Sequence, residues 1–209
     1  MSFAPRLLPA LFMVGLATAS PTLAQDDWNL YVGVGISDDV DGELTVNPNN
    51  GNANSLGTRP MDFSGITLGM EWAASNRVSI TGEIQGWTWE NSRSNQEMQA
   101  ALFSLGFRWW IFDFGNLETY AGMRLHSGIG ESEAPQLGGR KNKDVDTGFG
   151  WGWGAGVGLR YWIDSQFNLN ASIYYDDLAF TTDSERAGID TVDEDFEGTT
   201  LFLGLGFAF

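Results

Sequence analysis

The chain has 209 residues, with 11 Lys+Arg against 27 Asp+Glu, a formal net charge of -16, one His and no Cys. That length suits one domain, and 43% hydrophobic residues is ordinary for a folded chain despite the charge. The acid excess argues against a nucleic-acid partner, whose phosphates need a basic patch. The lack of Cys excludes disulfides, thiolate zinc sites, iron–sulfur clusters and thiol nucleophiles, and no cofactor is implied.

Residues 1–24 have the three-part form of a cleaved secretory signal peptide. Arg6 precedes a mostly apolar run from Leu7 to Ala19, and Thr22-Leu23-Ala24 supplies the small residues a signal peptidase needs. The run is too short and too interrupted for a comfortable membrane helix. Residues 25–209 are expected to form one domain.

Along that domain the recurring signal is period two. Alternating segments occur at 28–36, 63–72, 77–89, 99–111, 116–126, 148–162, 167–176 and 198–209. They are long for globular strands and close to the ~9–11 residues with which a tilted strand crosses a bilayer. The connections at 73–76, 112–115 and 163–166 are tight and carry Ser-Asn, Asp-Phe-Gly and Asp-Ser turn chemistry. Those at 37–62, 127–147 and 177–197 are long and polar, and 90–98 is intermediate. An up-and-down meander with two unlike ends is expected.

The faces decide the solvent. In the second segment Ile66, Leu68, Met70 and Trp72 oppose Gly65, Thr67, Gly69 and Glu71. In the sixth, Phe149, Trp151, Trp153, Ala155, Val157, Leu159 and Tyr161 oppose a glycine file from Gly148 to Gly158 that ends in Arg160. The fourth, fifth and last segments behave alike. A bulky apolar file is too large for the interior of a small barrel, and a file of small and polar residues suits one. Bulky-outside, small-inside is the pattern of a barrel dissolved in lipid rather than a soluble barrel or sandwich. Trp28, Trp72, Trp109, Tyr161, Phe167 and Phe209 fall at strand ends beside the tight turns, where an interfacial girdle belongs. The fold class is therefore all-β: an eight-stranded antiparallel up-and-down transmembrane β-barrel.

The C-terminal Phe202-Leu203-Gly204-Leu205-Gly206-Phe207-Ala208-Phe209 resembles the end of small outer-membrane β-barrels of Gram-negative bacteria, the OmpA-type and OmpW-type eight-stranded proteins. The assembly signal of that family has Gly and aromatic residues where Gly204, Phe207 and Phe209 stand; Phe202 departs from it, a polar residue being usual there. The resemblance implies residence in the outer membrane, multi-pass, with the outer-membrane lipid and lipopolysaccharide as surroundings and the barrel-assembly machinery as partner during biogenesis. The first functional reading is a structural or interaction barrel with display loops and a plugged polar lumen; the alternative, which the likeness to OmpW-type members of the porin family implies, is a narrow conduit for small or hydrophobic solutes.

Eight strands enclose a space that side chains can just fill. The inward charges Glu71, Glu83, Glu118, Arg108, Arg124 and Arg160 are three of each sign and should pair, since an unpaired ion in a narrow lumen costs several kcal/mol. Trp87 and Trp89 share parity with Glu83, and a bulge near Gly86 is expected to turn them outward. The acidic excess falls in the long connections: Asp38, Asp39, Asp41 and Glu43; Glu131 and Glu133; Asp183, Glu185, Asp190, Asp193, Glu194, Asp195 and Glu197. Asp39-x-Asp41-Gly42-Glu43 is only a fragment of a calcium loop, and no metal site is expected. Arg140, Lys141 and Lys143 form the one basic spot; it has the chemistry to meet lipid phosphates of the outer leaflet, but three cations on a loop are usually just solvated.

An enzyme is the third reading, because lipid A-modifying enzymes share this architecture and use a Ser–His–acid arrangement. His126 stands near the upper end of its segment. Ser127 points to the other face, however, and the position two residues on is Gly128. Ser172 and Asp176 lie inward on the seventh segment with nothing to join them to His126. No catalytic residue is assigned.

Overall fold

In the computed structural model, residues 28–48, 54–91, 96–133, 145–183 and 189–209 are described. The expected signal segment 1–24, the basic spot Arg140, Lys141 and Lys143, and Glu185 lie outside them. The described residues form eight strands: β1 (Trp28–Pro48), β2 (Asn54–Ser75), β3 (Val78–Asn91), β4 (Gln96–Asp113), β5 (Leu117–Glu133), β6 (Val145–Trp162), β7 (Phe167–Asp183) and β8 (Ile189–Ala208). Each pairs antiparallel with its sequence neighbours, and β8 pairs with β1 to close the barrel. Closure satisfies every strand edge within the sheet, which a lipid environment requires.

The tight turns use the residues the sequence offered. Ser75 Oγ accepts from the backbone N–H of Arg77 and Val78 at 3.3 and 3.1 Å. Gly115 adopts φ +77°, in the left-handed region, and its N–H donates to Asp113 Oδ1 at 2.8 Å. Asp164 Oδ1 accepts from the N–H groups of Gln166 and Phe167 at 2.8 Å each, which holds the Asp164 carboxyl below its ordinary range.

The strands run longer than their alternating segments suggested. β1 has 21 residues and β2 has 22, so most of 37–62 is wall rather than loop. Likewise Asp41, Glu43, Glu131, Asp193, Asp195 and Glu197 stand on strands. The physical reason is an inversion of polarity partway up the wall. Near the tight turns the outside is apolar, with Leu68, Leu105, Leu125 and Leu205 each more than half exposed. Further along the same strands the outside turns polar, with Asp41, Asp62, Glu90, Gln99, Glu131 and Glu197 exposed. There the inside is a packed apolar cluster that includes Val40, Met61, Phe63, Trp89, Met98 and Phe196. Alternation persists through the swap, but its sign reverses, so a search for apolar outward files stops too early.

On β1 a bulge makes the change. Its register slips against β2 between Ser37 and Val40, and against β8 between Ile36 and Val40. Ile36 faces outward, whereas Val40, of the same parity, is buried inside and Asp41 is exposed. β3 behaves differently from expectation. Its pairing with β4 is continuous from Val78 to Asn91, with no bulge at Gly86. Trp87 and Trp89 therefore keep the parity of Glu83 and point inward, 2% and 1% exposed.

Candidate functional site in the lumen

The six inward charges are brought into one ladder that climbs the lumen. At the tight-turn end Glu118 and Arg160 face each other across β5 and β6. Their nearest charged atoms are 3.9 Å apart, and Trp162 Nε1 donates to Glu118 at 2.8 Å. Arg160 also pairs with Glu71, and its guanidinium lies 4.4 Å from the Trp110 ring centroid. Arg108 meets the same Glu71 carboxylate at 2.6 Å and approaches Glu83 at 3.7 Å, held between the rings of Tyr31 and Tyr120. Tyr31 Oη and Gln85 Nε2 both donate to Glu83 at 2.5 Å. Arg124 reaches Glu83 at 3.5 Å and completes the climb by gripping Asp176 with two bonds, Nε–Oδ1 at 3.0 Å and Nη2–Oδ2 at 2.7 Å. Forked pairs of this kind are the strong class of ion pair.

Asp176 is the member that the charge pattern missed. It sits in one cross-strand row with Arg124 and Gly154, the glycine lying between them on β6. A Cβ at Gly154 would fall 2.1 Å from Asp176 Oδ1 and 3.1 Å from Arg124 Nε. The glycine file is thus the clearance through which the fork closes, and that is the signal that could have found it.

Asp176 also joins His126: His126 Nε2 lies 3.1 Å from Asp176 Oδ1, and His126 Nδ1 lies 2.7 Å from Ser104 Oγ. Ser104 is the direct cross-strand neighbour of His126 on β4, so neither Ser127 nor Ser172 is its hydroxyl partner. The three groups resemble a nucleophile–base–acid series in order. Ser104 is 1% exposed, however, and His126 packs edge-on against Trp87 at 5.4 Å. Nucleophilic chemistry requires a substrate to reach the hydroxyl, and this one is covered.

Above His126 the lumen is filled by aromatic rings. Trp89 stacks on Phe196 at 4.6 Å and touches Trp87, Phe63 and Phe180 at 5.5, 5.9 and 6.2 Å between centroids. A space of about 30 Å³ remains between Tyr31, Thr67, Arg108, Tyr120 and Tyr174, and one of about 10 Å³ beside Trp89 and Asp176. The larger has room for a water molecule, which needs at least about 10–15 Å³ of such space.

On the outer wall beyond the polarity swap, carboxylates oppose each other directly: Asp41 with Glu197, Glu43 with Asp195, and Glu197 with Asp177. Partial burial, then the carboxylates of Asp193, Glu43 and Asp177, hold Asp195 above its ordinary range. Like charges opposite one another weaken a sheet. At the chain end Gly204 lies in a row with Gly33 and Asn170, while Phe207 packs between Phe167 and Phe209 at 5.1 and 6.3 Å. The Phe209 N–H donates to Trp28 O at 3.0 Å, tying the last residue to the first strand. Phe202, the residue that departs from the assembly pattern, points inward, 4.6 Å from the Arg124 guanidinium.

A closed wall that is apolar outside around an ionic interior is a β-barrel built to stand in a lipid bilayer. The chain belongs to the outer membrane protein beta-barrel domain family, whose model matches residues 10–209. Its residence is accordingly a Gram-negative outer membrane. No curated protein matches it in sequence. Among solved structures it is similar to the outer membrane protein OprG from Pseudomonas aeruginosa, with 11% identity over 88% of this chain and 96% of that one, at a TM-score of 0.58. It is similar also to the outer membrane protein AlkL, whose structure was determined in lipid bilayers, with 18% identity over 93% and 95% of the two chains and a TM-score of 0.51. At these identities the likeness is one of fold.

Proposed function

We propose that this protein is a structural and interaction barrel: a rigid, plugged support that carries its long connections above the outer leaflet. The filled lumen is the observation that carries this reading. Among the described residues, ionic rungs occupy the membrane half and aromatic rings the outer half, and spaces of about 30 and 10 Å³ lie between them. Loops on a stiff post serve contact with partners outside the cell, as binding residues commonly sit on loops held by a rigid scaffold. In this reading the Ser104–His126–Asp176 series holds the plug together and performs no chemistry.

Single-channel recording in planar bilayers tests it. The plugged barrel gives no regular conductance steps. A narrow conduit, the competing reading, gives reproducible ones, and their appearance would overturn the proposal. Residues 1–24 serve in the same reading as the export signal, and Gly204, Phe207 and Phe209 as the assembly signal. Phe209→Ala should then leave the refolded barrel nearly as stable while lowering the amount inserted in the outer membrane of cells, measured by membrane fractionation. Unchanged insertion would remove the signal role.

A further inference from the structure

The outer wall carries a depression of about 640 Å³ that the lumen-based function does not use. That size lies in the range of small-molecule sites, roughly 300–1,000 Å³. It arises from one cross-strand row, Val34–Ile66–Gly86–Ala101–Ile129, in which two small residues stand side by side between branched ones. A Cβ added at Gly86 would meet only the Ile66 side chain, at 3.5 Å, so the hollow is open there. The next row toward the outside is polar on four adjacent strands: Ser64, Thr88, Gln99 and Glu131, all on the rim.

The height of the hollow identifies what fills it. Ala101 stands eight residues beyond the girdle residue Trp109 on β4. With ~3.3 Å per residue and a tilt near 40°, that is about 20 Å up an apolar band about 25 Å tall. The floor therefore lies in the acyl region of the outer leaflet, and the rim at the level where acyl chains join their headgroups. The rim includes a carboxylate, hydroxyls and an amide but no Lys or Arg. Such a rim accepts hydrogen bonds from an amide N–H or hydroxyl at an acyl linkage, groups that the ester linkages of a glycerophospholipid lack.

We propose that this hollow seats one acyl chain of the outer-leaflet glycolipid lipid A, with the amide or hydroxyl at its linkage bonded by the Ser64, Thr88, Gln99 and Glu131 rim. The inference rests on residence in the outer membrane and names a lipid site on the wall.

Native mass spectrometry of the detergent-folded protein, titrated with purified lipid A and in parallel with phosphatidylglycerol, tests it. Gly86→Phe and Ala101→Phe fill the hollow without placing a charge in lipid, and Leu205→Phe on β8 is the control. Circular dichroism establishes that each variant is folded. A one-to-one lipid A adduct is expected from the wild type and the control, weakened at least tenfold by either filling substitution and by Gln99→Leu. Phosphatidylglycerol should bind no better to the wild type than to Gly86→Phe. Four results would overturn the site: no wild-type adduct, equal adducts in the filled variants, equally site-dependent binding of phosphatidylglycerol, or a protein dimer lost on filling. Failure of the wild type to take up detergent and fold would instead count against the membrane reading itself.

Discussion

Replacing Arg124 by Ala removes the most connected cation of the lumen, and the structure gives the size of the effect. Arg124 holds Asp176 by a fork at 3.0 and 2.7 Å, approaches Glu83 at 3.5 Å and lies 4.2 Å from the Tyr174 ring centroid. Without it Glu83 keeps the hydroxyl of Tyr31, the amide of Gln85 and the more distant Arg108. Asp176, 4% exposed, keeps the His126 ring nitrogen at 3.1 Å but, among the described residues, no Arg or Lys partner. A buried pair broken on one side costs about 3–5 kcal/mol, most of it the stranded charge. Arg108→Ala should cost less, because Glu71 retains Arg160 and Glu83 retains Arg124. The assay is reversible urea unfolding in lipid vesicles, followed by tryptophan fluorescence. Asp176→Ala alone should also be costly, yet the double replacement should fall short of the sum by about 0.5–3 kcal/mol, the range for residues in one network. Arg124→Lys should rescue only partly, since an ammonium cannot fork both carboxylate oxygens. Additive single effects, or a loss under 1 kcal/mol for Arg124→Ala, would refute a ladder that depends on its pairs.

Trp89→Ala should cost about 3–5 kcal/mol in the same unfolding assay, as large aromatic deletions from a core do, whereas Trp151→Ala, 66% exposed on the outer wall, should cost far less; equal losses would mean that the rings around Trp89 are not a core. Trypsin added to intact cells should cut at Arg140, Lys141 or Lys143, on the side of the long connections, and spare Arg77 in a tight turn on the other side; cleavage at Arg77 alone would reverse the orientation.

Much of the wall was legible because lipid imposes a strict rule on one file of each strand. Ile66, Leu68, Met70 and Trp72 cannot all face a narrow lumen, so their parity sets the parity of the whole strand. Tight turns were equally readable from Ser75, Gly115 and Asp164, whose side chains or φ angle act within two or three residues. The rest depends on partners far along the chain. Asp176 pairs with Arg124 across 52 residues, and only the register of β5, β6 and β7 puts them in one row. Trp87 and Trp89 misled for a different reason. In lipid, large aromatics on an inward file look like a violation, and a bulge is the ordinary remedy. They lie where the wall has begun to turn polar, and there a large aromatic belongs inside. Asp62 and Glu90, on the outward files of β2 and β3 beside them, were the readable sign of that change.

β4 crosses the whole transition in regular register, and a charge scan along it measures where lipid ends. Its outward file runs Trp109, Phe107, Leu105, Phe103, Ala101, Gln99, and its inward file runs Arg108, Gly106, Ser104, Leu102, Ala100, Met98. Leu105 stands four residues above the girdle, about 10 Å up an apolar band about 25 Å tall, so Leu105→Arg should cost about 2–4 kcal/mol. Gln99→Arg, at the polar row, should cost about 0–1 kcal/mol, because the guanidinium reaches water. The inward file must show the reverse trend. Met98, 2% exposed and one position beyond Gln99, sits in the apolar cluster with Trp89 and Phe180, so Met98→Arg buries an unpaired cation and should be worse than Gln99→Arg. Simple lipid exposure explains the outward trend alone. The inward trend requires that water surround the outer half of the barrel, which is why its core is apolar. Equal costs at Leu105 and Gln99 would place both in one solvent, and the inversion of polarity would then have no physical cause.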